Sequence, residues 1–351
     1  VNLPALHADL LQWYAREKRS LPWRKNQDPY RIWLSEIMLQ QTRVEAVLPY
    51  YERFLSNFPT VADLAAAPID SVTNLWAGLG YYSRARNLHA AAGQVVERHA
   101  GEFPRGLEDL LALKGVGSYT AAAIASIAFG APHTALDGNL ERVFARLLAS
   151  REDPKSKSGR APLAALGHEL VTLGHPGEVN QAVMDLSSAL CLPKNPRCGE
   201  CPLAKHCEAR RLGIQAELPK KKTKAEKILL NAEAWAVVAG DHLLLARRAQ
   251  GSWLAGMWDL PWRVQKEGAK RAHPSFGEER AAVAVARTIT KHKITFGVKG
   301  LVCSSRPAEK ALATLCADAD EYRWVPLGEL HGINLPRASE KALDKILPAL
   351  S

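Results

Sequence analysis

Long apolar runs are missing from this chain. No window of its 351 residues has the length and hydropathy of a membrane-spanning helix. The N-terminal segment lacks the charged and apolar regions of a secretory signal. The expectation is a soluble, cytoplasmic protein with no membrane partner. The first residue is Val1, so an initiator Met or a longer terminus is expected to lie outside the sequence. No internal repeat or low-complexity tract is present, which argues against a solenoid or a long disordered tail. Negative charge is in deficit, with 36 Asp and Glu against 46 Lys and Arg, a net charge of +10. That balance leans toward a polyanionic partner.

Cysteine is scarce and unevenly placed. Four of the six lie within 17 residues, at Cys191, Cys198, Cys201 and Cys207. Cys303 and Cys316 stand alone and read as core or surface thiols. A cytosolic chain keeps its thiols reduced, so a tight group of four suggests a metal centre rather than disulfides. The spacing is C-x6-C-x2-C-x5-C, with Pro193, Pro196 and Pro202 interleaved. Four thiolates suit either a [4Fe–4S] cluster or structural zinc. Zinc sites commonly use two separated C-x2-C knuckles, whereas only Cys198 and Cys201 make one here, so the spacing favours iron–sulfur.

The first half of the chain offers no convincing strand. Residues 5–17 form an amphipathic helix, followed by the stiff loop Leu21-Pro22-Trp23-Arg24. Asp28-Pro29 starts a second helix over 30–41, with Asp as cap and Pro in the first turn. Helical patterning continues to about residue 190. Breaks fall at Phe58-Pro59, 78–82, Phe103-Pro104, Ala131-Pro132 and 153–160. The expected unit is nearly all helical and closes on the cysteine group.

Composition shifts near residue 215. Pro219-Lys220-Lys221-Lys222-Thr223-Lys224 reads as a basic linker that could also touch phosphates. Beyond it, 233–239 and 242–247 are apolar runs around Gly240-Asp241, a hairpin signal. Residues 277–290 are expected to be helical, 294–304 and 322–325 extended, and 337–347 helical. The second domain is therefore mixed α and β.

Several residues could carry chemistry. Gly115 and Gly117 bracket a turn that a Cβ would obstruct, ahead of the Ala/Ile-rich stretch Ser118–Phe129, which should be a buried helix. Backbone N–H groups at that start, including Ser118, suit a phosphate oxygen. The bland alternative is an ordinary corner between helices. Glu36 shares a helical face with Ile32 and Leu39, so desolvation would raise its pKa and make it an acid usable near neutral pH. A half-exposed Glu at the edge of the stripe is the competing reading. Asp137 precedes Gly138-Asn139 and a helix over 140–148. Capping alone would explain it, yet a carboxylate fixed there can also face a developing cation. Two carboxylates in separate environments are the usual equipment for cleaving a glycosidic bond.

Taken in order, these runs resemble the MutY-type adenine DNA glycosylases, within the helix–hairpin–helix glycosylases that include endonuclease III. The matching stretches are Leu21-Pro22-Trp23-Arg24, Trp33-Leu34-Ser35-Glu36-Ile37-Met38-Leu39-Gln40-Gln41-Thr42, Gly78-Leu79-Gly80-Tyr81-Tyr82-Ser83-Arg84-Ala85-Arg86, Gly115-Val116-Gly117-Ser118-Tyr119-Thr120, Leu136-Asp137-Gly138-Asn139 and the cysteine spacing. The resemblance implies two domains. An all-α helix–hairpin–helix glycosylase domain with a [4Fe–4S] loop would span 1–215. After a basic linker at 216–228, a C-terminal α+β Nudix-like domain would span 229–351 and recognise 8-oxoguanine.

It implies removal of adenine opposite 8-oxoguanine or guanine in double-stranded DNA, by a monomer found on the nucleoid when bound. Glu36 would protonate adenine N7 and later activate water. Asp137 would stabilise the oxocarbenium centre. Tyr119 and Asn139 would orient these groups, and Trp23, Arg24 and Gln181 would line the base pocket. Gln41 and Tyr81 would occupy the stack near the lesion. Gly115, Gly117 and Ser118 would hold the DNA backbone, and the four cysteines the cluster. Where endonuclease III relatives carry a Lys that attacks the sugar, this chain has Tyr119, which implies a monofunctional enzyme with little lyase activity.

No Arg-Glu-x-x-Glu-Glu run follows Gly256-Met257-Trp258-Asp259, so nucleotide hydrolysis is not expected from the second domain. The family's Phe-Ser-His lesion-reading loop is matched to Ile294-Thr295-Phe296, where Thr295 keeps the hydroxyl and His292 could share the role. Two other readings stay open: a thymine or uracil mismatch glycosylase on the same scaffold, and a non-catalytic iron–sulfur protein that binds DNA.

Overall fold

The protein is described by a computed structural model covering residues 2–220, 227–265, 274–333 and 335–350. The chain divides into two compact units, residues 1–223 and 224–351. No helix among the described residues is long and apolar enough to cross a membrane.

The described part of the first unit has no strand. Its helices are α1 (Leu3–Glu17), α2 (Pro29–Leu39), α3 (Val44–Asn57), α4 (Val61–Ala66), α5 (Ile69–Leu75) and α6 (Ser83–His99). They continue with α7 (Leu107–Ala112), α8 (Ser118–Phe129), α9 (Gly138–Leu147), α10 (Lys157–Thr172), α11 (Pro176–Ala189) and the short α12 (Glu208–Arg211). Side chains fix several starts. Asp28 Oδ1 accepts from Tyr30 N at 2.9 Å, Thr60 and Asp63 form a capping box, and Ser156 caps α10. That last cap starts a helix at Lys157, inside the break expected over 153–160.

Two apolar clusters carry this unit. One joins α2 through α8 around Trp33, Phe54 and Trp76. The other joins α1, α9, α10 and α11, with Cys191, Cys201 and Cys207 packed against it. The middle of α8 is apolar on every side, which suits a helix buried between neighbours. At its entry, Gly115 sits at φ +77°, and a Cβ there would stand 2.7 Å from Asn87 Cβ. Gly117 corrects the expectation: its φ is −92° and a Cβ would meet nothing within 4 Å among the described residues. The first unit also runs past residue 215. Leu218 is buried, and its carbonyl accepts from Arg146 Nε at 3.1 Å. Within the basic run, 221–226 lie outside the described residues.

The second unit is a seven-stranded sheet in the order β3-β2-β1-β6-β5, with β4 paired to β1 and β7 to β2. The strands are β1 (Ile228–Ala239), β2 (His242–Arg248), β3 (Trp258–Asp259), β4 (Trp262–Val264), β5 (Glu278–Ile289), β6 (His292–Cys303) and β7 (Ala319–Pro326). β1 and β2 form the expected hairpin through Gly240 at φ +59°. β1 and β6 run parallel from Ile228 opposite His292 to Ala239 opposite Cys303. Helix α13 (Glu309–Leu315) closes one apolar cluster with Trp235 and Val237, and α14 (Arg337–Ile346) closes the other with Ala234 and Ala236.

Residues 277–290 correct a helical expectation. This Ala-rich stretch is β5, antiparallel to β6, with Ala281, Val283, Val285 and Ile289 packed inward on alternate positions. Its period is two, and pairing with β6 overrides the helical propensity of alanine. The match of Ile294-Thr295-Phe296 to a loop is also corrected. All three lie inside β6, with Thr295 exposed and Phe296 buried against Trp262. The tight turn of this hairpin is at Thr290-Lys291, with Thr290 at φ +52°.

Candidate active site

A cavity of about 1090 Å³ in the first unit draws its lining from both clusters. Helix α2 contributes Glu36, α8 contributes Tyr119, the start of α9 contributes Asp137 and Asn139, and α11 contributes Gln181. Trp23 and Arg24, from the short turn of 3-10 helix before α2, complete the wall, and Gln41 lies at its edge.

Glu36 is 7% exposed. Burial pushes its pKa up from 4.5 to about 7. The facing Tyr119 hydroxyl offsets part of that rise, Asp137's negative charge adds to it, and Arg24 opposes it. Burial first, then the charges of Glu36 and Asp137, hold the Tyr119 phenol well above its ordinary range, so it stays protonated. The Tyr119 hydroxyl also points to Met184 Sδ at 4.0 Å.

Asp137 occupies a different environment. Its Oδ1 accepts from the backbone N–H of Asn139 and of Leu140, both at 2.8 Å, and Oδ2 accepts from Asn139 Nδ2 at 2.9 Å. It is the cap that the sequence suggested, and the same bonds aim it at the cavity that holds Glu36. The structure thus brings together the two carboxylates that sequence alone could not show to meet.

The wall around them is held by side chains that sequence reading did not single out. Asp185 on α11 accepts from Arg24 Nη1 at 2.6 Å, Arg24 Nη2 at 3.0 Å and Arg19 Nε at 2.7 Å. Burial works to raise the Asp185 pKa, but Arg24 and Arg19 outweigh it and keep the carboxyl below its ordinary value. Gln181 is one helical turn before Asp185, and its Oε1 accepts from Tyr14 Oη at 3.2 Å. Arg142 donates to Asn139 Oδ1 at 3.0 Å and to Cys191 O at 2.9 Å, so a chain of hydrogen bonds links Asp137 to the cysteine loop. The only signal for Arg142 and Asp185 was their spacing on α9 and α11, one turn from Asn139 and Gln181.

The cysteine loop passes a test of fit for a cluster. All four thiols are half-buried and unbridged. Burial pushes the Cys201 thiol up to about 12, and the charges of the other three cysteines act on it in the same direction. Once deprotonated, four thiolates on one loop are the donor set that an iron–sulfur cluster takes. Arg146 adds a donor, its Nη1 lying 3.2 Å from Cys191 Sγ. Among the described residues no group of three or more His, Cys, Asp or Glu is gathered closely enough to hold a metal ion.

The remaining candidates lie at the cavity's edge or outside it. Gln41 (φ +60°) and Tyr81 (φ +51°) are exposed in left-handed backbone, Tyr81 at 61% and outside the cavity lining. Gly115, Gly117 and Ser118 form the turn ahead of Tyr119. Thr295 belongs to the second unit.

Residues 34–166 match the family described as HhH-GPD superfamily base excision DNA repair protein. The chain belongs to the helix–hairpin–helix superfamily of base-excision DNA repair proteins. Residues 191–207 match the iron–sulfur binding domain of endonuclease III, and the four cysteines fit a [4Fe–4S] cluster. Residues 233–345 match the NUDIX domain.

Among curated relatives, an adenine DNA glycosylase of Homo sapiens is 45% identical over 226 residues, covering 62% of this chain and 41% of that protein. One from Arabidopsis thaliana is 36% identical over 303 residues, covering 75% and 48%. One from Buchnera aphidicola is 36% identical over 230 residues, covering 65% and 66%. The chain therefore spans less than half the length of the first two relatives. The MutY-type resemblance agrees with all three.

Among solved structures, a thermostable thymine-DNA glycosylase aligns with a TM-score of 0.55 at 28% identity, over 60% of this chain and 97% of that one. A trapped endonuclease III–DNA covalent intermediate aligns with a TM-score of 0.51 at 21% identity, over 61% and 99%, a likeness of fold.

Proposed function

We propose that this chain removes adenine mispaired with 8-oxoguanine or guanine in double-stranded DNA by hydrolysing its N-glycosidic bond. The observation that carries the reading is a pair of unequal carboxylates in one cavity, Glu36 buried with a pKa near 7 and Asp137 fixed by three hydrogen bonds. The proton of Glu36 passes to N7 of the extruded base as the bond from the sugar to N9 breaks, and the bonding pair leaves with adenine. Asp137 stabilises the oxocarbenium centre left behind. Water then adds to that carbon and returns a proton to Glu36.

Arg24 and Gln181 offer hydrogen bonds to the base edge, with Asp185 and Tyr14 fixing their orientation. Trp23 supplies an apolar wall, edge-on to Tyr51 at 5.1 Å. Gln41 and Tyr81 enter the base stack, and the turn of Gly115, Gly117 and Ser118 meets a phosphate. Cys191, Cys198, Cys201 and Cys207 would hold the cluster, which would tie down the loop that Arg142 joins to Asn139.

Cleavage of the strand is not part of the reaction. Among the described residues lining the cavity there is no lysine to form a Schiff base. Discrimination of 8-oxoguanine is assigned to the Nudix-like second unit, acting as a monomer with the first. Thymine release from mispairs is the second reading, favoured by the likeness to the thymine-DNA glycosylase.

A single-turnover assay decides between them, on duplexes with adenine opposite 8-oxoguanine or guanine and thymine opposite guanine, with and without alkali. Adenine release that gives breaks only after alkali, fastest opposite 8-oxoguanine, is the expected result. Release of thymine alone would establish the second reading.

A further inference from the structure

Left-handed backbone at a residue other than glycine persists only where its surroundings hold it. Gln41 and Tyr81 are two such residues, in separate loops and both exposed. One guanidinium holds both loops. Arg84 lies in the first turn of α6 and is 8% exposed. Its Nη1 donates to Ile37 O at 2.8 Å, Met38 O at 2.9 Å and Gln40 O at 2.7 Å. Its Nη2 donates to Leu79 O and Gly80 O, each at 3.2 Å, and to Thr42 Oγ1 at 3.3 Å.

The first set lies at the end of α2 and immediately before Gln41. The second set comprises the two residues before Tyr81 and the residue after Gln41. The guanidinium carbon also stands 5.7 Å from the Tyr81 ring centroid and 5.3 Å from that of Trp76. Trp76 Nε1 in turn donates to Gly80 O at 3.1 Å.

Among the described residues no carboxylate pairs with Arg84, and burial lowers its pKa to about 10. Its charge is met by carbonyl dipoles, including those at the negative end of α2. A planar fork can serve two groups of acceptors at once, which an ammonium on a flexible stem cannot.

We infer that Arg84 is a positioning residue that clasps the loop after α2 to the loop before α6, so that Gln41 and Tyr81 meet the DNA base stack as one rigid wedge. The inference rests on the adenine-excision reading. Its six hydrogen bonds go to loop and helix-end acceptors, none of them Glu36 or Asp137. The clasp therefore acts on extrusion of the base ahead of bond cleavage.

A double-mutant cycle on the full chain tests this. Arg84→Lys is made alone and with Gln41→Ala plus Tyr81→Ala. Adenine release is timed in single turnover, and extrusion is followed by the fluorescence of 2-aminopurine placed as the target base. Arg84→Lys is expected to slow both by about 100-fold in otherwise unchanged protein. In the background lacking Gln41 and Tyr81 its effect should shrink to less than about threefold, because the group it positions is gone. Equal losses in the two backgrounds overturn the inference.

Thr42→Val removes one acceptor of the same clasp and repeats the cycle should Arg84→Lys not fold. It should slow extrusion by about threefold alone and by nothing measurable in the other background. Unchanged protein that extrudes the probe but releases no adenine contradicts the activity reading, and the extrusion cycle still decides the clasp. Unchanged protein that never extrudes the probe contradicts the clasp itself.

Discussion

Glu36 in the first unit and Asp259 in the second are both buried carboxylates, and their surroundings differ in kind. Asp259 is fully buried. It accepts from Leu260 N at 2.8 Å, Trp262 Nε1 at 3.0 Å and Arg287 Nη2 at 3.3 Å, and from the Ser339 hydroxyl. Those bonds join β3, β4, β5 and α14 through one side chain. Glu36 has no cation at pairing distance among the described residues. It faces the hydroxyl of Tyr119 and lies close enough to Asp137 to feel its charge. A carboxylate supplied with donors and a counter-ion ties elements together and serves the fold. One left short of them keeps its proton near neutral pH and is available for chemistry.

Each prediction presses on that contrast. The largest effect is expected at Glu36→Gln, which should reduce adenine release by about 10²–10⁴-fold while leaving DNA binding in place. Loss of folding in that variant would return Glu36 to a structural role. Next comes Asp259→Ala, which strands the Arg287 guanidinium in the interior. Denaturant melts should register a loss of about 3–5 kcal/mol in the second unit. A change below about 1 kcal/mol would mean that the Asp259 network contributes little.

Third, Glu36 binds its proton more tightly in the folded chain than in the unfolded one, since its pKa is raised from 4.5 to about 7. Its contribution to stability is therefore full below 4.5 and is lost as pH rises through about 7. Glu36→Gln removes that loss, so at about pH 8 the variant should be more stable by up to about 3 kcal/mol, and at about pH 4 by almost nothing. The smallest effect on stability belongs to Asp137→Asn. Asparagine caps a helix as well as aspartate, so stability should hold within about 0.5 kcal/mol while adenine release falls steeply. A large drop in melting temperature would show that the charge at 137 serves the fold.

Much of the first unit was legible in the sequence because its helices are long and punctuated. Asp28-Pro29 marks the start of α2, Gly130 the end of α8, and the apolar stripe around Glu36 predicts its burial. What stayed hidden needed tertiary contact. Nothing in the spacing of Glu36 and Asp137 says that α2 and α9 share a cavity, and Arg84 reads as one more cation until six acceptors surround it. The second unit was harder for a related reason. Residues 281–286 alternate small apolar side chains that suit a helix or a strand, and only pairing with β6 decides between them. The family match alone puts Thr295 in a loop; the extended pattern of 294–304 agrees with its position inside β6.

The most direct test of the central claim is the pH profile of single-turnover adenine release from a duplex with adenine opposite guanine. With Glu36 as the acid, the rate should fall through a single ionisation as pH rises past about 7. A rate unchanged from about pH 5 to about pH 9, or one already falling near the ordinary carboxylate range, would contradict a proton held on Glu36 by burial.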